Sequence, residues 1–393
     1  MIAWVAATVA VFYSLWSVAL AVLFAVRLRI PDERLSTRVA LVLPATGMLP
    51  GLDDLFGALA KQSLPPSRMI VAVESRDDPA YARVAALAGH YPRLNIELVV
   101  AGLSPLRSQK CTNLLAALAR LDADDAYVVL LDADIRPQPW WLAALVAPLA
   151  SGRADLVNGY RWPVPIGLSL ATALVAGIDR GIAVLPRLSQ TRPIWGGSLA
   201  VNRNALAALD LPNTIGRTLT EDLPMGDRAA EVSLRVLTRR AIRPPSPLGG
   251  SISDLWRFGR RQYQLIRLYR PGLWSFAAFV VSTDLIARIV LLSNLIASGP
   301  ALAAIILLAS LGSIATEIRL AIGRKLDCRD AIGCRLVQHL LVWTIFPVAV
   351  FHASVIGGGF VTSPVAWRHI RYVVDKTGRV IDVARRPHSD QSV

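Results

Sequence analysis

The sequence predicts an α/β protein in which a parallel, doubly wound sheet is carried between hydrophobic helices. Two observations predict the sheet: strand-like apolar runs alternate with helical patterns from residue 38 onward, and the run YVVLLDADIRPQP at 127–139 ends in two acids and a Pro-punctuated turn. A third predicts the helices: the 393 residues are 54% hydrophobic with mean hydropathy above zero, too apolar for a soluble enzyme of this size. Strands alternating with helices build a parallel sheet whose central strands are buried on both faces.

The elements follow in order. Residues 3–26 carry no charge and are long enough to span a bilayer, too long for a cleavable signal and without a basic region before them. RVALVLPATG (38–47) is a strand and turn, followed by a helix through Leu59. RMIVAVES (68–75) is a second strand with a helix over 79–89, and NIELVV (95–100) a third. SQKCTNLLAAL (108–118) opens a helix before the strand at 127–131. A helix over 137–149 comes next, and the acids of 132–134 either simply cap it or serve a site. DLVNGY (155–160) and IWGGSLAVNR (194–203) read as strands. The apolar stretch 163–185 between them, interrupted by Asp179 and Arg180, reads as interfacial or buried helix. Further apolar segments at 273–298, 301–322 and 336–357 are candidate spans; the first two hold charges (Asp284, Arg288; Glu317, Arg319) and are weaker than the N-terminal one. The expected division is an anchor (1–29), a cytosolic domain (30–270), transmembrane or interfacial helices (271–360) and a basic tail (361–393).

A net charge of +14 does not make this a nucleic-acid binder, because the arginines cluster beside the hydrophobic segments. Arg27, Arg29, Arg34 and Arg38 follow the first, and Arg324, Lys325 and Arg329 the third, which is the positive-inside pattern with attraction to anionic lipid. It puts the N-terminus outside and the domain in the cytoplasm, at a bacterial inner membrane. Four full spans would leave the basic tail (Arg368, Arg371, Lys376, Arg379) outside. Either one late segment is re-entrant or interfacial, or the tail breaks the rule. Cys111, Cys328 and Cys334 are expected as free thiols, and their spacing with His339 fits no zinc pattern.

Acids at the end of a buried strand need a cation or a ligand, since burying a lone carboxylate costs several kcal/mol. In open α/β sheets that edge is where ligands bind, and two carboxylates one residue apart suit a divalent ion brought in by phosphates. A second acidic cluster, LTEDLPMGDRA (219–229), reads either as a helix cap or as a site. FGRRQYQLIRLYRPGLW (258–274) reads either as a juxtamembrane basic helix or as part of the same site.

Taken together, Glu74 at the second strand end, the Asp132-Ala133-Asp134 motif, the Glu221-Asp222 pair and the Arg/Gln cluster resemble the membrane-bound family 2 glycosyltransferases with a GT-A fold. The likeness is greatest to the ceramide glucosyltransferase group. ESRDDPAYARVAAL (74–87), SQKCTNLL (108–115), TEDLPMGDRAA (220–230) and SPVAWRHIRYVV (363–374) all resemble that group, from about residue 38 to 374. Two departures stand out: only Arg261 of the usual (Q/R)xxRW signature is present, with Gln262 where tryptophan is expected, and Glu74 replaces the first-motif aspartate unless Asp77 or Asp78 takes its place.

The resemblance implies inverting transfer of a hexose from a nucleotide-diphospho-sugar, expected to be a UDP-sugar, to a membrane lipid. It implies Mn²⁺ or Mg²⁺ on Asp134 and Asp132, with Asp132 also facing the nucleotide. Asp222 is the expected general base with Glu221 as fallback, and Arg260 or Arg261 the cation for the leaving diphosphate. Glu74, Asn113 and Gln262 complete the expected substrate-binding set, together with Lys110, one of only four lysines among 42 basic residues. Gly196 and Gly197 would let a sugar approach the backbone beside Trp195. Gly196-Gly197-Ser198-Leu199-Ala200 approaches the hydrolase elbow but lacks its last glycine, and His339, His352, His369 and His388 lie beyond the expected globular part. A transporter or scaffold leaves the ordered acids unexplained. A processive polysaccharide synthase would need more spans and the missing tryptophan.

Overall fold

The computed structural model describes residues 1–104, 106–187, 194–295 and 299–387, so His388 lies outside them. The elements are α1 (Ile2–Arg27), β1 (Val39–Pro44), α2 (Leu52–Ala60), β2 (Arg68–Val73), α3 (Pro79–Ala88), β3 (Ile96–Val100), α4 (Gln109–Leu118), β4 (Tyr127–Leu131), α5 (Trp141–Ala150), β5 (Leu156–Asn158), β6 (Trp162–Pro165) and α6 (Leu170–Ala183). They continue with β7 (Ser198–Asn202), α7 (Arg203–Leu209), α8 (Leu211–Thr214), α9 (Asp222–Glu231), β8 (Val236–Thr238), β9 (Pro245–Leu248), α10 (Ile252–Tyr269), α11 (Pro271–Ser293), α12 (Gly299–Lys325), α13 (Ile332–Trp343), α14 (Pro347–Gly358) and β10–β12 (Val365–Trp367, Ile370–Val374, Val380–Arg385).

The chain forms two compact units, one of 29–161, 187–246 and 363–393, the other of 1–28, 162–186 and 247–362. This division by contact is not the linear one expected from sequence. The segments 162–186 and 247–270 group with the hydrophobic helices, and the C-terminal tail groups with the sheet.

The sheet unit is built on seven strands in the order β3-β2-β1-β4-β7-β5-β8. β1, β2, β3 and β4 run parallel as expected. The sheet is mixed, however, because β7 lies antiparallel to both β4 and β5. Its central strands are uniformly apolar because helices cover both faces: Leu41, Leu43 and Val129 pack with Leu55, Phe56, Trp141 and Leu145 on one side, and Val42, Val128 and Leu130 with Cys111, Leu114 and Met225 on the other. Stacking β4 between β1 and β7 places residue 132 at the middle of the sheet's carboxyl edge. The tail is not a loose basic extension. β10, β11 and β12 form an antiparallel sheet, held by Tyr372 Oη accepting the Gln109 N–H at 3.0 Å and by Arg385 donating to Gln109 Oε1 at 2.9 Å.

Among the described residues, the helical unit has three helices long and apolar enough to cross a membrane, α1, α11 and α12. Small residues let them approach: Ala6, Ala7 and Ala10 of α1 pack with Ala287, Ala301 and Ala304. The expected segment 336–357 is a bent pair, α13 and α14, meeting at 85°. The break falls at Ile345, in the left-handed conformation at φ 48°, two residues before Pro347. The stretch expected at 163–185 contains the strand β6 and the 14-residue helix α6, whose Arg180 is clamped by Asp330 at 2.6 and 2.7 Å. The helices line an open cavity of about 390 Å³, mostly apolar in its walls.

Candidate functional site

The site starts from β4. Its five apolar residues are held at the centre of the sheet, and the strand stops at Asp132. The caps that start the neighbouring helices come from other residues: Ser108 caps α4, and α5 begins at Trp140 without a side-chain cap, so Asp132 and Asp134 are not spent on helix termini.

Lys110, in the first turn of α4, places Nζ 2.7 Å from Asp132 Oδ1 and 2.7 Å from Glu221 Oε1. One ammonium thus joins the two acidic motifs. Burial works against the Lys110 charge, but the two carboxylates outweigh it and hold its pKa well above the usual range. Glu221 responds the other way from an ordinary salt-bridge partner. Its pKa is raised, because burial first and then Asp222 and Asp132 outweigh the help from Lys110. We attribute this to position: the Glu221 side chain is 2% exposed against 20% for Lys110, and its Oε2 has no hydrogen-bond partner among the described residues.

Asp134 is exposed, yet the surrounding protein and then Asp132 push its pKa up, while Arg161 and Lys110 draw it down. Asp132 and Glu221 thus share the ammonium of Lys110, while Asp134 lies within the influence of Lys110 and Arg161. Among the described residues no three His, Cys, Asp or Glu side chains converge as a metal cage. Two hard carboxylates are nevertheless the donor set with which a Mg²⁺ or Mn²⁺ ion is held when phosphate oxygens and water complete its shell. Asp132 and Asp134 fit that role.

Asp222 begins α9, and its Oδ1 accepts from Thr220 Oγ1 at 2.6 Å and from the Leu223 N–H at 2.8 Å. The anchoring at the helix start therefore uses Oδ1 alone, and Oδ2 accepts no hydrogen bond among the described residues. Gly196 and Gly197 have a use the sequence did not reveal. A Cβ on Gly196 would overlap Glu221 Oε1, and one on Gly197 would stand 2.6 Å from Asp132 Oδ2. The glycines make room for carboxylates. Trp195 lies over Gly197 and 5.6 Å from the Tyr160 ring.

Other expected residues are committed inside the protein. Asn113 donates to the Ala45 carbonyl at 2.8 Å and accepts from Gln109 at 2.9 Å, tying α4 to the end of β1. Glu74 is buried with Oε1 2.9 Å from His369 Nε2, so His369 belongs to the sheet unit after all. Asp78 caps α3 and also accepts from Thr46 Oγ1 and the Gly47 N–H, both at 2.7 Å. Ser198 of the hydrolase-like stretch is buried and accepts from Trp141 Nε1 at 2.7 Å. Arg260, Arg261 and Gln262 stand on α10 in the helical unit. There Arg260 Nε donates to the Gly358 carbonyl at 3.0 Å and Arg261 lies over the Phe258 ring at 5.4 Å. Sequence reasoning missed Arg368 and His369 at the tip of the tail hairpin, whose only signal was the WRHIRY stretch itself.

The model of glycosyl transferase family 21 matches residues 2–380. No curated protein matches the chain. Among solved structures, a mannosyltransferase from Pyrobaculum calidifontis in complex with GDP-Man and Mn²⁺ is similar at 18% identity, over 92% of this chain and 100% of that one, with a TM-score of 0.49. Glucosyl-3-phosphoglycerate synthase from Mycobacterium tuberculosis, in complex with Mn²⁺ and UDP-glucose, is similar at 17% identity over 59% of this chain and 78% of that one, with a TM-score of 0.37.

Proposed function

The chain belongs to glycosyl transferase family 21, and on that premise we propose that it transfers a hexose from a nucleotide-diphospho-sugar to the hydroxyl of a membrane lipid, with inversion, as a ceramide glucosyltransferase does. The observation that carries this reading is the Lys110 ammonium joining Asp132 to Glu221. It fixes the strand-end acid and the acid beside Asp222 in one place, so that a donor and a base can act on one carbon.

In this mechanism the acceptor oxygen attacks the anomeric carbon from the face opposite the leaving group. The new carbon–oxygen bond forms as the bond to the diphosphate breaks, and the diphosphate departs with the bonding electrons. Asp222 takes the acceptor proton on Oδ2, while Oδ1 stays anchored to Thr220 and the Leu223 amide. Lys110 keeps Glu221 and Asp132 from repelling each other out of position. Trp195 supplies an apolar face for the sugar. Asp132 and Asp134 would hold a Mn²⁺ or Mg²⁺ ion, which supplies Lewis-acid neutralisation of the diphosphate. The lipid reading is supported by three helices apolar enough to cross a membrane and by the mostly apolar cavity among them. A cytoplasmic position for the sheet unit is supported by the arginines after α1.

The test is incubation of membranes containing the protein with a panel of radiolabelled nucleotide sugars, followed by lipid extraction. Label in the lipid phase is the expected result. Free labelled sugar alone would mean hydrolysis and would sink the proposal.

A further inference from the structure

The tail hairpin carries an arginine to the edge of the sheet where the acids stand. Trp367 pairs with Ile370 across β10 and β11, so Arg368 and His369 form a two-residue turn. Arg368 takes φ 53°, a left-handed conformation that such turns usually give to glycine, asparagine or aspartate. A residue with a long side chain in that conformation is strained, and strain of this kind persists where the surroundings fix it.

The surroundings do fix it. His369 Nε2 lies 2.9 Å from Glu74 Oε1, and its carbonyl accepts from the Arg386 N–H at 2.9 Å. Glu74 directly follows β2 as Asp132 directly follows β4, so the turn is pinned at the carboxyl edge of the sheet. The Arg368 side chain is exposed, and its guanidinium makes no hydrogen bond or ion pair among the described residues. The surrounding protein lowers its pKa, while Asp134 and Asp78 are the carboxylates that act to raise it. Asp78 is already saturated by Thr46, Gly47 and Ala80. Asp134 is not saturated.

We propose that Arg368 is a binding residue for the diphosphate of the donor, held by the strained turn on the opposite side of that group from Asp134. A planar guanidinium with five donors suits phosphate oxygens, and beside a carboxylate cluster it adds positive charge on the side from which an anionic ligand would be held. A turn that served only to reverse the chain would be better made by glycine. This inference rests on the reading of Asp132 and Asp134 as the donor site.

The test uses the full-length protein in detergent, with Arg368→Gly and Arg368→Asn, both of which suit the left-handed turn, and Arg368→Lys, which keeps the charge without the fork. Binding of UDP, GDP, ADP and CDP with Mn²⁺ is measured by calorimetry beside the thermal midpoint. For the nucleotide that binds the wild type, Arg368→Gly and Arg368→Asn should weaken affinity at least tenfold with an unchanged or raised midpoint, and Arg368→Lys should fall between. KM for the donor sugar should rise in step. Wild-type affinity in both Gly and Asn variants overturns the inference, as does a loss matched by a fallen midpoint in both. A wild type that binds none of the four overturns the donor-site reading itself.

Discussion

His369 Nε2 and Glu74 Oε1 meet at 2.9 Å in the protein interior although they are 295 positions apart in the chain. The contact closes the tail onto the second strand, so the C-terminal hairpin helps to build the edge where the first half of the sheet carries its acids.

Removing the ammonium at the centre of the site should cost both stability and turnover. Lys110→Met leaves Glu221 buried beside Asp132 without a countercharge, a loss of about 3 kcal/mol, at the low end for buried pairs because Lys110 and Asp132 are partly exposed. Adding Glu221→Gln to Lys110→Met should restore much of the thermal midpoint and none of the activity. Equal midpoints for wild type and Lys110→Met would remove the coupling.

Asp222 and Asp132 should fail in different ways. Asp222→Asn removes basicity and little else, so kcat should fall roughly 10²–10⁴-fold while nucleotide-sugar affinity changes only a few-fold. Asp132→Asn should weaken donor binding. Calorimetry beside turnover separates the two, and near-normal turnover in Asp222→Asn would move the base to Glu221.

Chelation should stop the reaction. With EDTA present, turnover should vanish and return on adding Mn²⁺ or Mg²⁺, and Asp134→Ala should abolish activity that added ion does not restore. Unchanged turnover in EDTA would remove the ion from Asp134 and Asp132.

Gly196→Ala forces a methyl group against the Glu221 carboxylate, an overpacking that costs about 1–3 kcal/mol and disturbs the acid cluster. Gly272→Ala, where a Cβ would meet nothing within 4 Å, is the control. The Gly196 variant should lose both midpoint and turnover, and the control neither.

Acid should loosen the outer edge of the sheet at a definable pH. Hydrogen bonds from Arg235 hold the Asp155 pKa down at about 2, against its burial. A depressed carboxylate stabilises the fold above its unfolded pKa, and the gain is lost as pH falls through the folded value, here from about 4 to 2. Arg235 is 58% exposed, so screening limits the gain to about 1 kcal/mol or less. Asp155→Asn should lower the denaturant midpoint at pH 7 and flatten its dependence on pH across that window. Parallel curves for wild type and variant would refute it.

Asp132 and Asp134 were legible as candidates because an apolar run that ends in acid is costly unless the acid is used, and Glu221 and Asp222 only as an acidic pair before a helical pattern. Lys110 was legible through its rarity. Its bridge was not, since nothing local says which carboxylates a lysine will reach. Gly196 and Gly197 were legible as tight spots, but the atoms that crowd them come from residues 132 and 221. The antiparallel course of β7 was hidden because apolar runs carry no direction. The break between α13 and α14 was hidden by hydropathy, which sums through a bend, although Pro347 marked it. The tail hairpin was read as a basic extension because its arginines outweighed the short alternating strands on either side of them.

The hairpin also sets a parity. Residues 29–161 and the strands β10–β12 belong to one compact unit, and a compact body rests on a single face of a bilayer. We propose that the polypeptide from 247 to 362 recrosses as often as it crosses. If α11 goes over and α12 comes back, the pair α13–α14, bent by 85°, would dip in and leave by the face it entered. With α1 the expected count is three crossings, an odd number that would set Met1 on the far face. Cysteines introduced at Arg34 and Lys376 should label from the same side of sealed vesicles, and labelling from opposite sides would break the count. The arginines after α1 and those of the tail, which seemed to demand opposite compartments, then share one.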